Sequence, residues 1–169
     1  MKTKILVAYA TRAGSTAQIA DSIGQAMSAQ GTAVDVMPLK NVSSLNGYHA
    51  VVLGSAIRIG GWLPEAVKFV EKHKDELSQM PTAFFAVHLL NLGDDEASRQ
   101  ARLAYLDSVR KLVKPDQEAF FAGVGDWSRV SFLEGLMGKM VKAPEGDFRN
   151  WAAIRAWAEG LGLNGFAGA

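Results

Sequence analysis

The stretch YATRAGSTAQIA, residues 9–20, decides the fold, because it joins an apolar run to a helical segment through a polar loop. A plain turn between a strand and a helix needs one glycine and one capping residue. This loop has three hydroxyl side chains, on Thr11, Ser15 and Thr16. They surround Gly14 and exceed the needs of a turn. The excess of hydroxyl groups predicts that the loop binds a ligand.

The rest of the chain alternates between strand and helix patterns. Five compact apolar runs predict strands, namely KILVAYA (4–10), AVDVM (33–37), HAVVLGS (49–55), PTAFFAVHL (81–89) and EAFFAGV (118–124). Most of these runs are nearly continuous, as in strands that are buried on both faces. Helical periodicity begins near Thr16 and at Pro64, and it recurs within 94–113 and 149–161. The segment between the second and third strands has room for one helical turn at most. The pattern predicts an α/β fold with a doubly wound parallel sheet.

Composition excludes several classes of function. The chain has 169 residues, of which 49% are hydrophobic and 21% charged, as is typical of globular proteins. The net charge of +1 gives no electrostatic reason to bind nucleic acid. Because there is no cysteine, disulfides and thiolate chemistry are excluded. No run approaches the ~20 apolar residues of a membrane span. The first apolar run stops at Ala10, too early for a signal peptide, so we expect a cytoplasmic protein.

Ligands of open α/β sheets bind beyond the carboxyl ends of the strands. The segments at these ends are TRAGST (11–16), SAIRIGGWLP (55–64), HLLNLGDD (88–95) and GDWSRVSF (125–132). Backbone N–H groups at the start of a helix attract anions. The first loop lacks the lysine of a Walker A motif and the three glycines of a dinucleotide site. It therefore suits a monophosphate held by neutral donors. In the alternative interpretation, Ser15 or Thr16 only caps the helix.

The loop TRAGST resembles the FMN-phosphate loop of flavodoxins, T/S-x-T-G-x-T, with Arg12 and Ala13 in place of the middle residues. Nearly the whole chain is similar to the flavodoxin-like protoporphyrinogen dehydrogenases of bacteria, which pass electrons to menaquinone. The family's IR-x-G after the third strand, its MP-S/T-AF strand and its D-x-R before the last helix all occur here. The family also has an insertion after the fifth strand, where this chain has SRVSFLEGLMGKMVKAPEGD (128–147).

The resemblance implies an FMN cofactor and a flavodoxin-like, five-stranded parallel sheet in the order 2-1-3-4-5. It implies one FMN-binding domain over 1–163, with the insertion at about 127–147 and a flexible tail at 164–169. The phosphate would be held by Thr11, Arg12, Ala13, Gly14, Ser15 and Thr16. One side of the flavin ring would be lined by Ala56, Ile57, Arg58, Gly60, Gly61 and Trp62. The other side would be completed by His88, Leu89, Leu90, Asn91, Gly123, Asp126 and Trp127.

Some of these residues have ordinary structural alternatives. Trp62 fits equally an anchor for the following helix, and Trp127 fits a cover for the sheet edge. His88 is either a rim histidine or a proton donor. Plain flavodoxins surround the ring with acids, whereas this chain offers Arg58 and His88 as candidate catalytic residues. A positive neighbourhood favours reduced, anionic FMN, and this predicts an oxidoreductase.

The predicted reaction passes electrons from a porphyrinogen-type small molecule through FMN to a quinone. One alternative is an electron carrier that docks on redox partner proteins, and another is an NAD(P)H:quinone reductase. Within the insertion, residues 130–142 have one apolar helical face. This face either folds back on its own sheet or borders the flavin cleft. In the second case it contacts substrate, quinone or, peripherally, the inner face of the membrane.

Overall fold

A computed structural model describes residues 3–125, 144–161 and 166 of the protein. Its strands are β1 (Lys4–Ala10), β2 (Ala33–Pro38), β3 (Ala50–Arg58), β4 (Gly61–Trp62), β5 (Thr82–His88), β6 (Gln117–Ala122), β7 (Val124–Gly125) and β8 (Gly146–Asp147). Its helices are α1 (Ser15–Ser28), α2 (Pro64–Lys72), α3 (Lys74–Leu77), α4 (Glu96–Ala104), α5 (Asp107–Arg110) and α6 (Trp151–Gly160). A 3₁₀ turn, Leu39–Asn41, follows β2, so the second crossover has the single turn that its length predicts.

The five long strands are parallel and lie in the order β2-β1-β3-β5-β6, while β4 pairs antiparallel with the end of β3. Numbered among themselves, the long strands have the order 2-1-3-4-5, so the predicted fold is confirmed. Ala10 of β1 lies opposite Ser55 of β3, and His88 of β5 lies opposite Ala122 of β6. The carboxyl ends of these strands therefore meet at one edge of the sheet.

Both faces of the sheet are covered by helices. On one face, Leu6, Leu53 and Phe84 pack in a core that α2 and α5 help to build. On the other face, Val52 and Phe85 pack with α1 and α6. This two-sided burial explains why the central strands are nearly continuous apolar runs.

The segment 94–113, predicted as one helix, forms α4 and α5 with a break between them. At the end of α4, the N–H groups of Tyr105 and Leu106 bond to carbonyls three residues back, at 3.0 and 3.4 Å, which tightens the last turn. The break buries both side chains. The guanidinium of Arg110 donates to the Leu103 carbonyl at 2.5 Å and so adds a second, shorter bond to the carbonyl that accepts from Leu106 in the tightened turn.

Most of the predicted insertion lies outside the described residues, as does nearly all of the predicted tail. The described chain reaches Gly125 and resumes at Pro144, and the two flanks pair as the short antiparallel ladder of β7 and β8. Within the described ranges, no helix is both long and apolar enough to cross a bilayer.

The close packing of β3 against β5 gives a test of the core. A Cβ added at Gly54 would overlap the buried ring of Phe85. We expect Gly54→Ala to lower the free energy of unfolding by about 1–3 kcal/mol, because the overpacked ring must move. Gly160→Ala is the matched control, since Gly160 lies at the end of α6 with open space around it. Urea denaturation compares the two, and equal stabilities would contradict the close packing at Gly54.

Candidate functional site

The loop after β1 forms a cradle at the start of α1. Gly14 has φ +97°, a left-handed conformation that glycine adopts freely. Its N–H donates to the Thr11 hydroxyl at 3.0 Å. Within this described loop, no side chain caps α1, and the first turn of α1 has no acidic residue. The positive end of the helix dipole therefore faces outward without a counter-charge from its own first turn, an arrangement that suits an anion.

Four buried side-chain atoms in the described ranges lack a hydrogen-bond partner, and three of them belong to predicted site residues. The four atoms are Thr16 Oγ1, Arg58 Nε, Trp62 Nε1 and Trp157 Nε1. Leaving such a group unpaired costs about 1–3 kcal/mol, so native proteins normally pair them. Thr16 is 0% exposed and lies in the first turn of α1. Its unpaired hydroxyl fits a bound phosphate oxygen, and the residues at this edge therefore fit FMN.

Arg12 connects the first loop to the segment that follows β4. Its guanidinium forms a two-pronged ion pair with Glu65, in which Nη2 lies 3.0 Å from Oε2. The hydrogen bonds from Arg12 lower the pKa of Glu65, so this carboxyl is ionised at neutral pH. Sequence reasoning did not select Glu65, whose only signal is its place in the first turn of α2. Contact between Arg12 and a phosphate stays a prediction.

A tight hairpin joins β3 to β4 at the same edge. Arg58 pairs with Gly61, which leaves Ile59 and Gly60 as a two-residue loop with φ of +51° and +75°. Positive φ at both positions is the type I′ hairpin geometry, for which an isoleucine is unfavourable. Ile59 is also 90% exposed. Sequence analysis missed this residue, although a β-branched side chain before two glycines was an available signal.

Trp62 packs inward from the second strand of this hairpin. It is 4% exposed, and its ring meets that of Phe84 edge-on with centroids 5.0 Å apart. The Ser55 hydroxyl accepts a bond from the Leu63 N–H at 2.9 Å and so fixes the start of α2. This is the packing expected if Trp62 anchors the helix, while its contact with a flavin stays a prediction. Half-buried Ala56 and Ile57 complete the end of β3.

His88 ends β5 and is 5% exposed. Its Nδ1 lies 2.8 Å from the Leu90 carbonyl, and because a carbonyl only accepts, Nδ1 carries the proton. Burial lowers the pKa of His88, and the nearby positive charge of Arg102 lowers it further, against the opposing effect of the bond to Leu90. The imidazole is therefore neutral at pH 7, with Nε2 as a proton acceptor.

The loop after His88 and the end of β6 complete the edge. Leu89 is half-buried and Leu90 is exposed, while Asn91 adopts a left-handed φ of +59°. The Gly123 N–H donates to the His88 carbonyl at 2.9 Å, which joins β6 to this loop. Asp126 and Trp127 lie outside the described residues.

The neck formed by β7 and β8 lies beside the first loop. A Cβ added at Gly123, just before β7, would lie 3.4 Å from the Ser15 hydroxyl. The Phe148 N–H donates to the Gly123 carbonyl at 3.1 Å. In the D-x-R motif, Arg149 pairs with Asp147 at 2.7 Å and also bonds Gln18 of α1. The motif thus attaches the neck to α1, a structural role that sequence reasoning did not assign.

A cavity of about 460 Å³ opens next to His88. Its described lining includes His88, Leu92, Asp94, Arg102, Phe120, Phe148 and Asn150. The aromatic and aliphatic walls suit a flat, mainly apolar molecule, and the two charged side chains have opposite signs. Sequence reasoning found His88 but not the other lining residues.

Comparisons with known proteins agree with this geometry. The Flavodoxin domain family matches residues 6–150. The chain is 30% identical to a protein of Leishmania major named protoporphyrinogen IX dehydrogenase [quinone], over 92% of this chain and 73% of that protein. It is 27% identical to the Escherichia coli K12 protein of the same name, over 92% and 90% of the two chains. A flavodoxin from the domain Archaea superposes with a TM-score of 0.60 at 14% identity, covering 96% of this chain and 99% of its own, which shows the fold alone.

Removing the unpaired hydroxyl of Thr16 should lower the affinity for FMN without lowering the stability of the FMN-free protein. We expect Thr16→Val to weaken FMN binding roughly ten- to a hundredfold, because it removes a bond to a charged oxygen. Without FMN, the variant should be as stable as the parent or more stable, because it removes an unpaired buried group. Riboflavin, which has no phosphate, is the control ligand and should bind both proteins equally. Flavin fluorescence titration measures both affinities, and unchanged FMN affinity would exclude this loop as the phosphate site.

Proposed function

This chain belongs to the Flavodoxin domain family and is a flavin oxidoreductase with FMN as its cofactor, and we propose that it oxidises a porphyrinogen and passes the electrons to a quinone. Each two-electron oxidation of a porphyrinogen releases two electrons and two protons, and a quinone takes up the same number to become a quinol. The names of the Leishmania and Escherichia relatives support these two substrates.

The loops at the carboxyl edge divide the binding of FMN between them. When bound, FMN supplies the redox chemistry, and the protein supplies position and electrostatics. The segment 11–16 holds the phosphate through hydroxyl groups and the start of α1. The hairpin residues 56–62 and the loop 88–91 would hold the ring, and Gly123 lies beside Ser15 of the phosphate loop. Exposed Ile59 offers the ring an apolar contact from the hairpin.

The buried position of the Arg58 guanidinium is the main support for an enzyme rather than a low-potential electron carrier. Its Nε is buried and unpaired among the described residues, so part of the guanidinium lies inside the edge of the protein. A cation next to the ring stabilises reduced, anionic FMN and thus favours the removal of electrons from a substrate. A low-potential carrier needs the opposite sign of charge at this place.

His88 handles a proton in the proposed reaction. Oxidation of the substrate releases protons, and a neutral imidazole with an unprotonated Nε2 is able to accept one. The bond from Nδ1 to the Leu90 carbonyl fixes this tautomer and holds the ring in place. This assigns His88 the role of acceptor, instead of the donor considered from the sequence.

The cavity next to His88 supports an apolar electron acceptor. Phe120 and Phe148 offer flat apolar walls for such a molecule. The neck of the insertion lies at the same edge. We propose that the quinone binds at this edge. We also propose that residues 130–142 contact the substrate, the quinone or, peripherally, the membrane.

An anaerobic assay tests the proposed function. The FMN-loaded protein is mixed with protoporphyrinogen and menadione, and the absorbance of the porphyrin product is followed. We expect porphyrin to form while menadione is reduced, with three menadione molecules consumed per porphyrin because the full oxidation removes six electrons, and with no reduction when NADPH replaces the porphyrinogen. Menadione reduction with NADPH alone would support a quinone reductase instead. Flavin binding without turnover of either donor would support an electron carrier.

The charge of Arg58 gives a prediction for the potential of FMN. A unit charge ~4 Å from the ring, at an effective dielectric near 20, interacts by up to ~4 kcal/mol. A change of about 1.4 kcal/mol equals ~59 mV for a one-electron couple, and exposure to solvent reduces the effect. We expect Arg58→Gln to lower the potential of the second one-electron reduction by several tens of millivolts. Arg58→Lys, which keeps the charge, is the control in the redox titration. Equal potentials for the parent and Arg58→Gln would mean that the charge of Arg58 does not lie next to the ring.

Deleting the insertion tests whether it is needed for folding and FMN binding or only for reduction of the quinone. The flanks of the insertion already pair as β7 and β8, so a short Gly-Ser bridge is able to replace residues 130–142. We expect the deletion to bind FMN normally and to lose quinone reduction. Fluorescence titration measures the first property, and the menadione assay measures the second. An unfolded or FMN-free deletion variant would mean that the segment belongs to the core.

A further inference from the structure

We propose that Arg102 and Tyr105 are positioning residues that hold the loop 89–93 in its flavin-binding conformation before FMN arrives. The proposal rests on FMN as the cofactor and goes beyond the proposed reaction, because neither residue was predicted to contact FMN and the proposed role concerns the conformation of the loop. Arg102 lies in the last turn of α4 and Tyr105 directly follows the helix, and their bonds reach back to the loop that follows His88.

Arg102 binds the loop through the backbone. Its Nη1 donates to the carbonyls of Asn91 and Gly93, at 2.5 and 2.6 Å. These carbonyls lie two residues apart, so one guanidinium nitrogen fixes the path of the chain between them. Bonds from an ionised donor are stronger than those between neutral groups.

Tyr105 binds the same loop from the protein interior. It is 6% exposed, and its hydroxyl accepts a bond from the Asn91 side-chain amide at 2.7 Å. The same hydroxyl donates to the Leu90 carbonyl at 3.4 Å. The rings of Tyr105 and His88 lie 5.5 Å apart. Tyr105 lies in the tightened turn that follows α4.

The conformation that these bonds hold includes a sparsely populated backbone geometry. Asn91 has φ +59°, a left-handed conformation that asparagine tolerates but does not prefer. A backbone in this region persists when its surroundings over-determine it. Three residues, Leu90, Asn91 and Gly93, receive bonds from α4, so the loop is over-determined.

Pre-organisation has a measurable effect on affinity. If the loop of the free protein occupies its binding conformation only part of the time, the apparent dissociation constant rises by the inverse of that fraction. The loop would face the ring and not the phosphate. Loss of the bonds from α4 should therefore weaken FMN and riboflavin by the same factor, whereas Thr16→Val weakens FMN alone.

Flavin titration of three variants tests the proposal. Tyr105→Phe removes only the hydroxyl and, unlike Arg102, Tyr105 is not among the described lining of the cavity. We expect it to weaken both flavins roughly two- to tenfold, the factor for one neutral hydrogen bond. Arg102→Gln should have an equal or larger effect on both. Arg99→Gln is the matched control, because Arg99 is an exposed arginine almost one turn earlier on α4, and it should bind both flavins like the parent.

Hydrogen exchange of the FMN-free proteins supplies a second measurement. Amides of residues 89–93 should exchange faster in Tyr105→Phe than in the parent or in Arg99→Gln. If Tyr105→Phe melts at a lower temperature but binds both flavins as tightly as the parent, the two residues are only structural and the proposal is wrong. If Arg102→Gln does not fold, Tyr105→Phe and the exchange data still decide. A parent protein that binds no flavin would instead overturn the proposed function.

Discussion

The parallel register of the central strands is the constraint on which the rest of the structure depends. Because β1, β3, β5 and β6 run in the same direction, their carboxyl ends share one edge, and every loop with candidate chemistry follows from that edge. The helices that return the chain to the opposite edge cover both faces of the sheet. A ligand at the edge is therefore contacted by loops that are distant in sequence. The bonds of Arg12 to Glu65 and of Gly123 to His88 join such loops to one another at this edge.

The sequence predicted the architecture well, because the patterns that encode it are local. The apolar runs, the glycine of the first loop and Pro64 at the start of α2 each act within a few residues. The break within 94–113 was not predictable from such patterns. Tyr105 and Leu106 have the periodicity of a helix, but their burial and the bond from Arg110 to Leu103 favour a tightened turn instead. Tertiary contacts overrode helical periodicity at this point.

The candidate site was predictable in part, for a similar reason. Thr16 and Arg58 stand out in the sequence because of their position after a strand, and the structure leaves polar atoms of both buried and unpaired. Glu65, Arg102 and Tyr105 did not stand out, because they reach the edge from helices whose own patterns are ordinary. Only the fold brings Arg102 to the carbonyls of Asn91 and Gly93. Positions that support a site from a neighbouring element leave no local signature.

The hairpin isoleucine has a consequence for stability. A side chain held at positive φ costs about 1–3 kcal/mol, whereas a whole domain is stable by only about 5–15 kcal/mol. Ile59 receives little in return from the fold, since its side chain is almost wholly in solvent. Glycine or asparagine would suit the backbone better at this position. A variant optimised for stability alone would therefore replace Ile59 first and lose the apolar tip of the hairpin. If Ile59 contacts the flavin as proposed, stability and ligand binding oppose each other at this position, and a thermostabilised form of this protein has to be selected with flavin present.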